Sequence, residues 1–95
     1  MSVTIAYVVT RTTIVDSKKV IFCPCNDVEV FLCYFSALRY LAREKKYMKM
    51  MGGKIRVCFP QNRNRYGREQ IGVIDHSLDG TINRYVLTRV IIKNQ

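Results

Sequence analysis

The sequence is short of acids: seven Asp and Glu stand against 16 Lys and Arg, and between Arg39 and Arg68 the one acid is Glu44. It also has a single histidine, no C-x2-C pair, and no apolar run near the ~18 residues of a membrane span. Each absence removes a class of function. With His76 held between Asp75 and Ser77, a nucleophile, base and orienter in immediate succession cannot form a triad, because neighbouring side chains on a strand point to opposite faces. His76 is read instead as a hairpin-end histidine. Asp16, Asp75 and Asp79 read as turn formers and Asp27 and Glu29 as helix-start residues, so no carboxylate pair assembles for a metal nuclease. Gly52-Gly53 follows a helical pattern rather than preceding one, which is the wrong order for a phosphate-binding loop. No RNP, KH or zinc-finger motif is present. Neither catalysis nor a cofactor is expected, and a nuclease survives only as a third reading, on His76 and the arginines.

The cysteines lack a framework too. Cys23-Pro24-Cys25 offers two corners of a zinc site, with Cys33 or Cys58 and His76 as further ligands, but four ligands must converge tetrahedrally. Cys33 falls opposite the apolar helix face and Cys58 opposite Val57, so all four cysteines are read as reduced thiols serving as small apolar side chains, and no metal is expected. Met1 to Thr10 carries no basic segment ahead of its apolar stretch, and the longest apolar runs, such as Val30 to Phe35, are short. The expectation is a soluble, cytoplasmic protein that does not meet the membrane.

What the sequence does contain is enough apolar residue for one core. At 95 residues and 48% hydrophobic, area scaling gives a folded surface of ~5,700 Å² against ~16,000 Å² unfolded. A single domain over residues 1–95 is expected, with no internal repeat or linker.

Its net charge of +9 is localised. Ten cations and Glu44 lie between Arg39 and Arg68, and cations and acids balance over the rest of the chain. The excess charge therefore sits in one contiguous third.

Residues 2–10 alternate, which predicts a strand running on towards Val15. Asp16-Ser17-Lys18 then turns the chain into a returning strand at Val20-Ile21-Phe22, and Pro24 ends that hairpin. Asn26 fits an N-cap, with Glu29 at the capping-box position, and opens a helix of about six turns that Gly52-Gly53 stops. Its apolar face is predicted from Val28, Phe31, Tyr34, Phe35, Leu38, Leu41 and Ala42, and its outer face from Cys33, Ser36, Ala37, Tyr40 and Tyr47. Lys54 to Phe59 alternates as a strand closed by Pro60, and Gln61 to Arg68 is a polar loop. Glu69 to His76 and Thr81 to Lys93 make two more strands, joined through the hairpin signal Asp79-Gly80.

The predicted order is β-β-α-β-β-β, and the fold class is α+β: one long amphipathic helix laid on a mainly antiparallel, curved sheet of about five strands. The last strand is apolar on both sides, with Tyr85, Leu87 and Ile91 opposite Ile82, Val86, Val90 and Ile92. Either the sheet curls into a partial barrel, or its second face meets a partner, for which a homodimer is one solution.

The function expected from this pattern is a small non-enzymatic regulatory protein that binds nucleic acid, DNA or RNA, through residues 39–68. Lys54 and Arg56 should project from the sheet face away from the helix, beside Lys49, Arg63, Arg65 and Arg68, and Tyr66 offers a stacking surface for an unpaired base. The alternative is an inhibitor or adaptor, of the profile of a short viral or phage protein, whose basic patch meets an acidic protein surface. Tyr40 and Tyr47 are its candidate protein contacts, with Met48, Met50 and Met51 as adaptable surface beside them.

Overall fold

The structure is a computed structural model that describes residues 2–15, 25–58 and 67–94. Its elements run β1 (Ser2–Val15), β2 (Cys25–Phe31), α1 (Tyr34–Met51), β3 (Lys54–Cys58), β4 (Arg68–Leu78) and β5 (Thr81–Asn94). The strands form one five-stranded sheet in the order β2-β1-β5-β4-β3. Every pairing is antiparallel. The α+β class and the order β-β-α-β-β-β are as the sequence predicts; the sheet stays open, with β2 and β3 as its edges.

The longest ladder joins β1 to β5, from Ser2 opposite Asn94 to Val15 opposite Thr81. The β4–β5 hairpin closes through Asp79 and Gly80, whose φ angles of 51° and 77° are both positive, as a primed two-residue turn requires. That turn fixes the register: Leu78 faces Thr81, His76 faces Asn83 and Asp75 faces Arg84. A bulge between Gln70 and Gly72 then leaves Ile71 as an extra residue, and Ile71 packs against the core.

The N-terminal hairpin differs from the expectation. Asp16-Ser17-Lys18, the strand predicted at Val20–Phe22, and Pro24 lie outside the described residues. The strand that pairs with β1 is Cys25–Phe31, so Asn26 does not cap a helix and Asp27 and Glu29 are not first-turn residues. Val28 and Val30 alternate with Asp27 and Glu29, and β-branched residues at period two prevail over the capping-box pattern. The pairing is reinforced where Asp27 meets Arg11 at 2.6 Å.

The helix accordingly starts later, with Cys33 at the N-cap, and runs 18 residues, about five turns. Its buried stripe is Ala37, Leu41 and Met48, with Tyr40 half-buried beside it. Phe35, assigned to the apolar face, is exposed, whereas Ala37 and Tyr40, assigned to the outer face, pack inward. The stripe is turned by roughly a quarter of the circumference from the predicted one. Ala37 has no exposed surface, and its small side chain lets the helix backbone come close to the sheet.

The core lies between α1 and one face of the sheet: Val9, Tyr85 and Leu87 beneath, Ala37, Leu41 and Met48 above. Full burial of a side chain such as Val9, Leu41, Met48 or Leu87 contributes about 1.5–3 kcal/mol. Two ring pairs hold the start of the helix, Tyr7 with Tyr34 at 5.3 Å and Phe31 with Tyr40 at 5.5 Å. The far end is held by His76, which is buried and whose Nε2 donates to the Gly52 carbonyl at 2.6 Å. His76 is therefore a core histidine tied to a helix terminus rather than an exposed residue at a hairpin end.

Candidate nucleic-acid interface

Register decides which side chains share a face, because directly opposed residues in an antiparallel pair point the same way. Ile55 and Val57 on β3 oppose His76 and Ile74 and face the helix. Lys54, Arg56 and Cys58 therefore point to the open face, with Asp75 opposite Arg56. On β4, Arg68 opposes Val90 and Gln70 opposes Thr88, which places both on that same open face. Arg84 joins them from β5.

The open face over β3, β4 and β5 is thus cationic. It carries Lys54, Arg56, Arg68 and Arg84 against one acid among the described residues, Asp75. Arg56, Cys58, Gln70, Asp75 and Arg84 line a shallow basin of about 620 Å³ there. Among the described residues Lys54, Arg56 and Arg68 form no ion pair, in contrast to Arg11, Arg84 and Arg89, which hold Asp27, Asp75 and Glu69.

Arg84 grips Asp75 with two parallel hydrogen bonds, Nε to Oδ1 at 2.9 Å and Nη2 to Oδ2 at 3.0 Å. The Cys58 thiol donates to the same carboxylate at 3.7 Å. The Arg84 hydrogen bonds hold the Asp75 carboxyl below the usual aspartate range, against the opposing effect of burial, with further help from the charge of Arg84 and from Cys58 and Arg56. A depressed folded-state pKa means that this stabilisation is complete above the unfolded value of ~3.9 and is lost as pH falls through the folded value. Urea denaturation of the native protein and of Asp75→Asn should show a stability gap that is constant above about pH 5 and narrows below about pH 4. A gap unchanged down to pH 2 would contradict the pairing.

The described part of the basic third is divided between two surfaces. Lys49 lies exposed in the last turn of α1, and Arg39, Arg43 and Lys46 are exposed along the same helix, on the layer opposite the cationic sheet face. Arg43, Lys46, Tyr47 and Met50 border a depression of about 350 Å³ on the helix surface. Tyr47 is exposed there, whereas Tyr40 is half-buried against Phe31. Arg63, Arg65 and Tyr66 lie outside the described residues.

Arg84 is the site residue that segment counting missed, since it falls in the charge-balanced part of the chain. A signal for it was present. A two-residue Asp79-Gly80 turn sets residues whose numbers sum to 159 opposite each other, which pairs Asp75 with Arg84 and brings both beside Arg56.

Cys33, Cys58 and His76 stand apart, and Cys23 lies outside the described residues. Cys58 is on the open sheet face, His76 is under the helix, and Cys33 is exposed at the helix start. The neutral Cys33 thiol makes no capping hydrogen bond, yet the backbone N–H and hydroxyl of Ser36 and the N–H of Phe35 favour its thiolate and lower its pKa.

The arrangement defines a class in structural terms alone: an open antiparallel sheet backed by one helix, with a cationic surface on its uncovered side. No family model, no curated protein and no solved structure matches the chain. Among the described residues, no helix is long and apolar enough to cross a membrane.

Proposed function

We propose that the protein binds nucleic acid, without catalysing a reaction on it, through the open face of β3, β4 and β5. One observation carries this reading: Lys54, Arg56 and Arg68 point from a single sheet face, form no ion pair among the described residues, and have Arg84 among them. Such cations neutralise successive phosphates and release the counterions condensed on them, which favours binding most strongly at low salt. Arginine adds a planar fork that meets a phosphate with two parallel hydrogen bonds.

Fluorescence anisotropy with labelled single- and double-stranded DNA and RNA across a salt series tests the reading. With three to four phosphate contacts, log K against log salt should fall with a slope of about −3 on duplex DNA. Replacing Lys54, Arg56 and Arg68 together by alanine should remove most of that slope and weaken binding about a hundredfold or more at low salt. A flat salt response, or a triple variant that binds like the native protein, would exclude this face.

A second reading, an adaptor or inhibitor that meets an acidic protein surface, is favoured by the Arg43, Lys46, Tyr47 and Met50 depression on the helix, where cations flank an exposed aromatic and a methionine. Absence of binding to every nucleic acid in the same titrations would leave this reading in its place.

A further inference from the structure

The basin on the open face is not uniformly cationic, and register sorts its lining into rows across the strands. Arg56, Asp75 and Arg84 stand in one row. Cys58, Val73 and Val86 form the next, and Gln70 lies beside Thr88 in the row after it. Val73 is buried and Val86 half-buried, so the middle row is an apolar floor between polar walls. Arg68 lies one row further on, opposite Val90. From residue 84 to residue 90 of β5 is roughly 20 Å along the strand. Cations therefore stand at both ends of this strip, with the floor and the exposed amide of Gln70 between them. The bulge between Gln70 and Gly72 bends β4 beside the floor.

We infer, on the nucleic-acid reading proposed above, that the ligand of this face is a single strand rather than a duplex. An unpaired base sits on Val73 and Val86 with its edge against Gln70, and the phosphates on either side of it meet Arg56 and Arg68.

Size and chemistry both favour the unpaired base. The basin, at about 620 Å³, falls within the ~300–1,000 Å³ of sites that enclose a small organic ligand. A duplex keeps its bases paired and stacked and offers this face its charged backbone, which would dehydrate phosphates over an apolar floor that cannot bond them. A single strand can turn a base out, lay its flat side on apolar side chains and present its edge for hydrogen bonding. The Gln70 amide carries both donors and an acceptor, as a base edge does. Phosphate contacts weaken as salt rises and apolar contact with a base does not, so the two contributions can be measured separately.

Anisotropy titrations with three probes of equal length are the test: a mixed-sequence DNA strand, its perfect duplex, and a strand with the same phosphates in which abasic tetrahydrofuran units replace every base. The full strand should bind about tenfold more tightly than the abasic strand. It should also bind more tightly than the duplex, by a margin that widens with salt, because each phosphate contact adds about −0.7 to the slope on a single strand against about −0.9 on a duplex. Gln70→Ala and Val86→Thr leave the net charge unchanged, and each should bring the ratio of full-strand to abasic affinity several-fold closer to one. Gln70 is exposed, so Gln70→Ala should keep the native far-ultraviolet circular dichroism even where Val86→Thr fails to fold. Full and abasic strands that bind alike would overturn the single-strand assignment and leave the nucleic-acid reading standing. A duplex that binds most tightly would do the same, as would a base-dependent affinity indifferent to both substitutions. Failure of all three probes to bind would overturn the nucleic-acid reading, and this assignment with it.

Discussion

Gly53→Ala is expected to destabilise the fold by about 3 kcal/mol or more, from a left-handed backbone penalty of about 1–2 kcal/mol plus a backbone collision. At φ +86° an added Cβ would lie 2.3 Å from the Ser77 carbonyl oxygen. That atom belongs to strand β4, so relief requires the connection between α1 and β3 to move off the sheet. The move would also disturb His76, whose Nε2 lies 3.3 Å from the same point and holds the end of the helix through Gly52. For a domain of this size the loss corresponds to a fall of roughly 12–24 °C in Tm. Gly52→Ala is the internal control. At φ +86° and ψ −167° Gly52 holds a conformation that side chains disfavour by about 1–3 kcal/mol, and it has nothing within 4 Å of its Cβ, so that penalty applies without a collision. Two thermal melts that fell equally would show that the approach to Ser77 is not the cause.

Asp75→Asn should move two measurements in opposite directions. The carboxylate is buried and bonded twice by Arg84, and charge-assisted bonds of this kind contribute about 1.5–3 kcal/mol each. Arg84 keeps 45% of its side chain exposed, so water replaces part of what is lost. A net loss of about 2 kcal/mol in urea denaturation is expected. The same change removes the one described acid from a face with four cations and frees the Arg84 fork. If nucleic acid binds there, affinity should rise about tenfold at low salt and the salt slope should steepen by about one. Arg84→Ala should lower both stability and affinity. An Asp75→Asn protein that lost both would mean that the ion pair shapes the site rather than restrains its charge.

The outline of the sheet was legible because its signals were local and consistent. Alternation marked β1 and β3, and Asp79-Gly80 set both the β4–β5 hairpin and its register. The start of the helix was not legible. Asn26 and Glu29 match a capping box, and only pairing with β1, a contact between distant parts of the chain, makes Val28 and Val30 more useful as strand residues. Once Phe31 belonged to the sheet, the helix turned so that Ala37 rather than Phe35 met the core. The candidate site was half legible. Alternation alone placed Lys54 and Arg56 on the open face, but the division of the basic third between helix and sheet depends on tertiary structure. Arg84 entered the site through register, which a charge count along the chain does not see.

The long β1–β5 ladder joins residue 2 to residue 94, so the middle of the sheet is built from the two most distant stretches of the described chain. A growing polypeptide cannot complete that ladder until β5 has been synthesised. Until then β1 has β2 as its one described sheet neighbour, over Tyr7 to Thr12, and β4 has β3 alone. Closing so long a loop costs entropy before any contact repays it, and proteins dominated by such distant pairings fold in roughly milliseconds to seconds rather than microseconds. The nascent chain therefore carries β1 with one edge unpaired until β5 arrives, and its yield in the cell should depend on how well that edge is shielded in the interval.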